Sequence, residues 1–222
     1  MLQNLLLIDM IFKKKKEDLY LKASKLALDN SKKIYDEAKL LIDEDHYARG
    51  FALCVISLEE SAKSFLLRLI SLNLYHEIKT MKFVHDHENK LQQSSQILSF
   101  STKFLEMIIE FAKMAQKDGY IKTKLPLPDD YQDRLGELTN LAERIAKFQS
   151  RKNDSLYVDV REGKVINPNN TIKKEQASAM LEIVNMQIGI VKIFVDVDDA
   201  KFLAMWKEPF ASLLKIDELL KT

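Results

Sequence analysis

The chain has 222 residues, of which 46% are apolar and 30% are charged, a composition that excludes a disordered protein. It contains only five glycines and four prolines, and because both residue types break helices, their scarcity favours an all-helical fold. The net charge of +1 excludes a global basic field, so any binding of nucleic acid must be local. The single cysteine, Cys54, lies among apolar residues, which predicts a buried reduced thiol. One cysteine cannot form an internal disulfide, and nothing else in the sequence suggests export.

Residues 1–16 are predicted to form an N-terminal arm that is apolar up to Phe12, apart from Gln3, Asn4 and Asp9, and basic from Lys13 to Lys16. The apolar part precedes the basic run, which is the reverse of a secretory signal. At about a dozen residues it is shorter than the ~20 that span a bilayer, so no stable membrane insertion is expected. We favour an arm for packing or dimerisation. A peripheral membrane anchor is the alternative, because an apolar segment beside a basic run supplies both signals for such anchoring.

Apolar residues at steps of three and four predict the first two helices. The first covers 17–44, and its predicted apolar face is Leu19, Ala23, Leu26, Ile34, Ala38 and Leu41. The second begins near His46 and is apolar nearly all round from Phe51 to Leu58. A helix that is apolar on every side is expected at the centre of a bundle.

Three further helices are predicted at about 86–117, from 129 into the 150s, and at 172–196. Their expected inward residues include Leu91 and Leu98 in the third, Ile145 and Phe148 in the fourth, and Ala177, Leu181, Val184, Ile188, Val191 and Val195 in the fifth. Asn170 or Thr171 is the expected N-cap of the fifth helix. Residues 157–166, with Arg161-Glu162-Gly163 as the turn, predict a small β-hairpin. The fold is therefore expected to be one all-α bundle over 17–197 with a β-hairpin insertion, followed by a helical tail over 198–222.

The end of the fourth helix carries the residues best suited to contact phosphate. Lys152 continues the inward line of Ile145 and Phe148. If the helix persists, Asn153 and Tyr157 are four residues apart and their side chains meet. We therefore expect Lys152, Asn153 and Tyr157 to point towards the bundle or a partner, with Arg151 at the rim. The structural alternative is that Lys152 extends its ammonium to solvent, Asn153 caps the helix and Tyr157 packs with a satisfied hydroxyl.

Two glutamates of the second helix are candidate supports for this cluster. Glu60 falls on the apolar line of Leu53 and Ile56, where burial raises the pKa of a carboxyl unless a cation pairs with it. Lys152 or Arg151 would supply that cation, and a purely structural salt bridge is the alternative. Glu59 and Lys63 are correctly spaced for a helical ion pair.

Histidines and carboxylates before the third helix raise the question of a metal site. His76, His85 and His87 lie in or beside this connection, with Asp86 nearby. Residues two apart diverge on a helix, and no metalloprotease or cysteine-pair motif is present, so we expect neither a metal nor a cofactor. Asp86 is better interpreted as an N-cap, with His87 on the first turn.

The same segments resemble a known family, the abortive-infection AbiV group of HEPN proteins. The similarity lies in Arg-Lys-Asn-Asp-Ser-Leu-Tyr-Val-Asp over 151–159, Asn-Pro over 167–168 with the helix starting Thr-Ile at 171–172, Ser-Leu-Glu-Glu-Ser-Ala-Lys over 57–63, and Asp-His-Glu-Asn-Lys-Leu over 86–91. It extends over most of residues 20–195. The resemblance implies an α-helical bundle that usually dimerises, in a bacterial cytoplasmic protein that arrests phage multiplication.

HEPN domains are often metal-independent endoribonucleases, and the resemblance therefore implies a motif of arginine, a polar residue, and histidine five positions after the arginine. Counting from Arg151, the fifth position is Leu156; counting from Lys152, Asn153 takes the polar position and Tyr157 takes that of the histidine. The second register agrees with the inward face predicted above. Cleavage of RNA without metal needs proton transfer and charge stabilisation on the phosphate. A phenol is a poor base at neutral pH.

We therefore expect an abortive-infection effector with Arg151, Lys152, Asn153 and Tyr157 at its site. Glu59, Glu60, Lys63, Asp86 and His87 are expected in support. It would block phage multiplication by binding a phage or host protein or by acting on RNA. A metal-independent endoribonuclease toxin with a degenerate motif is the alternative. A homodimer is expected, because the apolar tail residues Phe210, Leu213 and Leu214 and the apolar N-terminus exceed what one bundle would cover.

Overall fold

Helices dominate the described part of the chain. A computed structural model describes residues 2–74, 148–200 and, between them, 91, 94, 95, 97, 98, 102, 106, 109, 113, 116, 117, 132, 133, 136, 137, 140, 144 and 145, with the backbone alone for 2–13. Its elements are α1 Leu2–Asp43, α2 Tyr47–Ser71, α3 Phe148–Leu156, β1 Asp159–Arg161, β2 Lys164–Ile166, α4 Pro168–Thr171 and α5 Lys174–Asp196. The described residues from 91 to 145 are helical. The predicted all-α bundle with a small β-hairpin is confirmed.

Helix α2 lies at the centre, as its apolar composition predicts. It packs against α1, α3, α4 and α5, and Leu58 in its middle is fully buried. Two edge-to-face aromatic pairs join it to its neighbours: Phe51 meets Phe148 of α3 with ring centroids 5.9 Å apart, and Phe65 meets Phe194 of α5 at 5.2 Å. Such pairs add to the free energy gained from apolar burial. Helix α2 is therefore the element against which α3, the helix that carries most of the candidate residues, is held.

Small residues line the contact between α1 and α2. Ser24 and Ser64 each donate a hydroxyl hydrogen bond to the other's carbonyl oxygen over 2.8 Å. Ser31 and Ser57 do the same over 2.8 and 2.7 Å. One step further along, a Cβ on Gly50 would lie 2.4 Å from a side-chain carbon of Ile42 and 3.0 Å from the Ala38 carbonyl oxygen. Small side chains at seven-residue steps therefore let the two backbones approach closely.

This contact corrects the predicted buried face of α1. Leu19 and Leu26, expected inward, are 62% and 60% exposed, whereas Ser24 and Ser31 are fully buried. The hydropathy pattern failed because each buried hydroxyl is satisfied by a carbonyl of the facing helix, which removes most of the cost of burying it. Ala38 of the predicted face is buried. The helix also begins at Leu2, so its backbone continues through residues 2–16 of the predicted arm.

The predicted inward face of α5 is confirmed. Ala177, Val184, Ile188, Val191 and Val195 are buried and Leu181 is half-buried. Length and composition would also allow α5 to cross a membrane. Its buried face packs on α2, as that of a core helix does. Gln187 on that face donates to the Leu58 carbonyl oxygen over 3.1 Å.

The predicted N-cap of α5 is wrong. Asn170 and Thr171 belong to the short helix α4, whose own N-cap, Asn167, accepts from the Asn169 amide over 3.1 Å. Lys173 precedes α5, and its backbone amide donates to Gln176 Oε1 over 3.0 Å. Pro168 starts the extra turn because its fixed φ suits a first helical position. This turn places Thr171 beside α3, where its hydroxyl lies 3.3 Å from the Asp154 carbonyl oxygen.

The described residues of the third and fourth predicted helices agree with the expected core. Leu91, Leu98, Ile145 and Phe148 are all buried. Outside the described residues lie the remaining inward positions, the connection before the third predicted helix from residue 75 onward, and residues 201–222 of the predicted tail. Cys54 is buried and free, as predicted.

Candidate functional site

The end of α3 is fixed by short local hydrogen bonds. The Ser155 hydroxyl reaches back to the carbonyl oxygens of Arg151 and Lys152 at 2.7 and 2.8 Å. The Tyr157 amide donates to the Asn153 carbonyl oxygen over 3.0 Å, which closes the last turn before the hairpin. Hydroxyls that bond to carbonyls one turn earlier satisfy the acceptors left free at a helix end. The candidate residues therefore lie on an ordered turn that leads directly into β1.

Lys152 points into the bundle, as its position on the inward line predicts. Its Nζ lies 2.6 Å from Oε1 of Glu59 on α2. Both side chains are almost fully buried, at 6% and 2% exposure. The alternative in which Lys152 extends to solvent is therefore wrong. The ammonium and the carboxylate neutralise each other where neither has water to solvate it.

The two glutamates exchange the roles expected from the sequence. Glu60 is half-buried; its carboxylate accepts from Lys63 over 3.2 Å and from Asn30 of α1 over 3.1 Å. Glu59, expected to pair with Lys63, instead faces α3. The apolar line used to place Glu60 is the less buried side of α2, because Leu53 and Ile56 are themselves only half-buried.

Arg151 lies at the rim, as predicted, with an aromatic ring beneath it. Its guanidinium carbon is 5.6 Å from the centroid of the Phe51 ring, and the residue is half-buried. A cation over the face of a ring is attracted by the ring's quadrupole. Stacking on the ring holds the planar guanidinium in place, and its N–H groups can still donate hydrogen bonds within the guanidinium plane. Phe51 was not singled out in the sequence, since no spacing rule links it to residue 151.

Asn153 and Tyr157 are exposed, so the expectation that they point towards the bundle is wrong; the expectation that they meet a partner stays a prediction. Tyr157 is 64% exposed, and the predicted packing of its ring in the core is not observed. Asn153 lies one residue after the inward-pointing Lys152, on the exposed side of α3, and Tyr157 follows Leu156, where α3 ends. Past that point the chain turns into the hairpin, and helical spacing no longer sets the direction of a side chain.

An ion-pair cluster missed by the sequence reasoning ties the hairpin to α3. Arg161 Nη2 lies 2.7 Å from Asp154 Oδ1, and Arg161 Nε donates to Asp159 Oδ2 over 2.7 Å. The hydrogen bond from Arg161 lowers the pKa of the Asp159 carboxyl, and the two carboxylates raise that of the guanidinium. The i, i+2 spacing of 159 and 161 in a strand was the only sequence signal for this pairing.

A polar cleft of about 360 Å³ opens at the start of α2. It is lined by Asp45, His46, Tyr47, Ala48, Arg49 and Asn169. The Tyr47 hydroxyl donates to the Asp45 carboxylate, and this bond raises the pKa of the phenol. None of the predicted site residues that the structure describes lines the cleft. Asp86 and His87 lie outside the described residues. Within the described ranges no group of three or more histidine, cysteine or carboxylate side chains is placed to hold a metal.

Comparison with known proteins identifies the family. The family model HEPN_AbiV, described as AbiV, matches residues 19–188, which is more than half of the chain. The matched range begins in α1 and ends in α5, so it includes α2, the Lys152–Glu59 pair and the hairpin. No curated protein and no solved structure matches the chain. The helical bundle, its β-hairpin and the extent of this match show that the chain belongs to the AbiV family of HEPN-type abortive-infection proteins.

Proposed function

We propose that this protein arrests phage multiplication by binding a phage or host protein, rather than by cleaving RNA. The observation that carries this proposal is the buried Lys152–Glu59 pair. An ammonium held 2.6 Å from a carboxylate, with both side chains buried, has no free charge to offer a phosphate. Among the four candidate residues, the cation left at the surface is Arg151.

The exposed groups suit recognition better than acid–base chemistry. Metal-independent cleavage needs a group that removes the proton of the 2′-hydroxyl and another that protonates the leaving oxygen. An amide such as that of Asn153 does not titrate, and a phenol is a poor base at neutral pH, although it can donate a hydrogen bond. Arginine and tyrosine, by contrast, are the side chains most enriched in the central residues of protein interfaces. Arg151, Asn153 and Tyr157 thus form a small recognition surface at the end of α3.

A metal-independent endoribonuclease remains the second candidate. It is favoured by Arg151, whose guanidinium is positioned over Phe51 and can donate to two phosphate oxygens at once. In that case a phosphate would rest against Arg151, and Asn153 and Tyr157 would supply hydrogen bonds. The protein would act in the cytoplasm and as a homodimer in either case.

The decisive experiment combines two measurements on the same variants. Arg151→Ala is compared with Arg144→Ala, an exposed arginine seven residues earlier. We expect Arg151→Ala to abolish protection against phage in a plaque assay and Arg144→Ala to retain it. Pure protein is incubated with total RNA, with and without EDTA. Binding predicts intact RNA in both tubes, whereas cleavage that persists in EDTA and is lost in Arg151→Ala would establish the endoribonuclease instead.

A further inference from the structure

The β-hairpin has the reverse of the usual polarity. Val158, Val160 and Val165 are 66–70% exposed. Val160 and Val165 are cross-strand partners, so they lie on one face of the two strands. The opposite face carries Asp159 and Arg161. Arg161 pairs with Asp159 and also with Asp154 of α3, which attaches the hairpin to that helix. A sheet normally buries its apolar face and exposes its polar face, and here the valines face solvent.

The outer edge of β1 is available for pairing. The turn consists of Glu162 and Gly163, both with positive φ, as in the tight turns that join two antiparallel strands. Arg161 and Lys164, which flank the turn, form the pair that exchanges backbone hydrogen bonds between the two strands. The next pair is Val160 and Val165, and there the amide and carbonyl of Val160 point away from β2. Its amide donates to Asp159 Oδ1 over 2.8 Å, and no third strand pairs with β1 among the described residues. The Asp159 carboxylate thus accepts from an amide that would otherwise donate to a carbonyl of a neighbouring strand.

The sequence of β1 complements itself. When two antiparallel strands pair about a central residue, the residue before the centre on one strand faces the residue after it on the other. For Asp159-Val160-Arg161, pairing about Val160 puts Asp159 opposite Arg161 of the second strand, and it does so twice. Pairing β2 with a second β2 about Val165 would put Lys164 opposite Ile166, so no opposite charges would face each other. Opposite charges directly across an antiparallel pair are stabilising, and like charges are destabilising.

We propose that β1 pairs antiparallel with β1 of a second copy of this chain, centred on Val160; this rests on the homodimer proposed above. The backbone carbonyl of the partner's Val160 replaces Asp159 as acceptor of the Val160 amide. Each Asp159 then faces an arginine of the other copy. The result is a four-stranded sheet with the valines of both copies on one face. Val160 is three residues from Tyr157, about 10 Å of extended chain, so the recognition surfaces of both copies lie near the twofold axis.

A second copy suits this surface better than other occupants. The four hairpin charges, Asp159, Arg161, Glu162 and Lys164, sum to zero, whereas nucleic acid and anionic membranes attract basic surfaces. Two neutral hairpins approach without net repulsion. A symmetric contact also requires that the same patch complement itself, a condition that the order acid, valine, base in β1 satisfies.

The test uses two single variants and their mixture. In Asp159→Arg both charged positions of β1 become basic, and in Arg161→Asp both become acidic. Each variant loses the pair between positions 159 and 161 and places like charges opposite each other when two identical copies pair. Light scattering at about 20 μM should therefore report monomers for both variants and a dimer for the parent. In the mixture every new arginine faces an aspartate of the other variant. A one-to-one heterodimer should form, although the internal pair between positions 159 and 161 stays broken in both chains.

Circular dichroism spectra matching the parent would show that both variants are folded. The matched control is Glu162→Lys in the turn, which should remain a dimer. Dimers of either single variant, or a mixture that stays monomeric, would overturn the pairing of β1. A parent that is itself monomeric would overturn it together with the homodimer. None of these outcomes depends on phage protection or RNA cleavage, so the proposed function is decided separately.

Discussion

Lys152 and Glu59 are 93 residues apart in the chain, yet Lys152 Nζ lies 2.6 Å from Glu59 Oε1 in the interior. This contact joins α3 to α2 on the side where Arg151 stacks over Phe51. A buried pair of this kind contributes little net free energy when intact, because desolvation offsets the attraction. The pair matters because removing one of its two charges is expected to destabilise the folded protein. Lys152 therefore positions α3, whereas Arg151 is the residue that we propose to meet the ligand.

Removing one partner of this pair should destabilise the protein strongly. Lys152→Ala removes the ammonium that lies 2.6 Å from the buried Glu59 carboxylate, which should cost about 3–5 kcal/mol of the free energy of unfolding. Lys152→Met with Glu59→Leu removes both charges and should restore most of that loss. Urea denaturation of the parent, the single variant and the double variant measures these differences. Equal midpoints for parent and Lys152→Ala would show that the pair is solvated and that Lys152 is free to bind a ligand.

Two changes at Tyr157 separate recognition from latent catalysis. Tyr157→Phe removes only a hydroxyl from an exposed ring, so the melting temperature should stay within about 1 °C and protection should fall if the hydroxyl contacts the partner. Tyr157→His introduces a group that titrates near pH 6.5. We expect this variant to keep the fold and to cleave RNA in the presence of EDTA. Parental protection in Tyr157→Phe would remove the hydroxyl from the recognition surface, and intact RNA with Tyr157→His would contradict latent catalysis.

Two glycines in helices should respond to alanine in opposite directions. Gly50→Ala places a methyl group 2.4 Å from Ile42 and 3.0 Å from the Ala38 carbonyl oxygen. The resulting separation of α1 and α2 should cost about 1–3 kcal/mol. A methyl group at Gly189→Ala meets nothing within 4 Å among the described residues, and the higher helix propensity of alanine should raise stability by up to about 1 kcal/mol. Thermal unfolding of both variants provides the comparison; a Gly50→Ala protein as stable as Gly189→Ala would contradict the close approach of the two helices.

The core position Leu58 should be among the most sensitive to truncation. It is fully buried in the middle of α2, so Leu58→Ala should cost about 2–5 kcal/mol, because a cavity remains where the side chain was. Lys33→Ala on the exposed side of α1 should stay within about 0.5 kcal/mol. The measurement is the urea midpoint of each variant at constant slope. Coinciding midpoints would mean that α2 is not the centre of the bundle.

Cys54 should make stability fall at high pH. Burial raises its pKa from 9.0 to about 12, so between these values the unfolded chain loses a proton that the folded protein keeps. This contribution is fully present below pH 9 and is lost as the pH rises towards about 12, with a slope of up to about 1.4 kcal/mol per pH unit. Comparing the free energies of unfolding of the parent and Cys54→Ala from pH 8.5 to 10.5 isolates this slope. Parallel curves would show that the thiol titrates normally in the fold.

The sequence by itself determined what depends on neighbouring residues. Helical periodicity and the lack of glycine and proline predicted the helices, and an uninterrupted apolar run predicted the central position of α2. The glycine after Glu162 predicted the hairpin, because the tight turn needs positive φ. The inward direction of Lys152 followed from the line of Ile145 and Phe148. In each case the deciding interactions lie within a few turns of one segment, where spacing along the chain equals spacing in the structure.

Only the tertiary structure decided which polar residues are buried and with whom. Ser24 and Ser31 pack inward in place of Leu19 and Leu26 because the carbonyls of α2 accept their hydroxyls. Glu59 rather than Glu60 meets Lys152 because α3 crosses that side of α2. Tyr157 faces solvent because α3 ends one residue before it. The free energy of a buried polar group depends on a partner from a distant segment, and hydropathy along one helix cannot identify that partner.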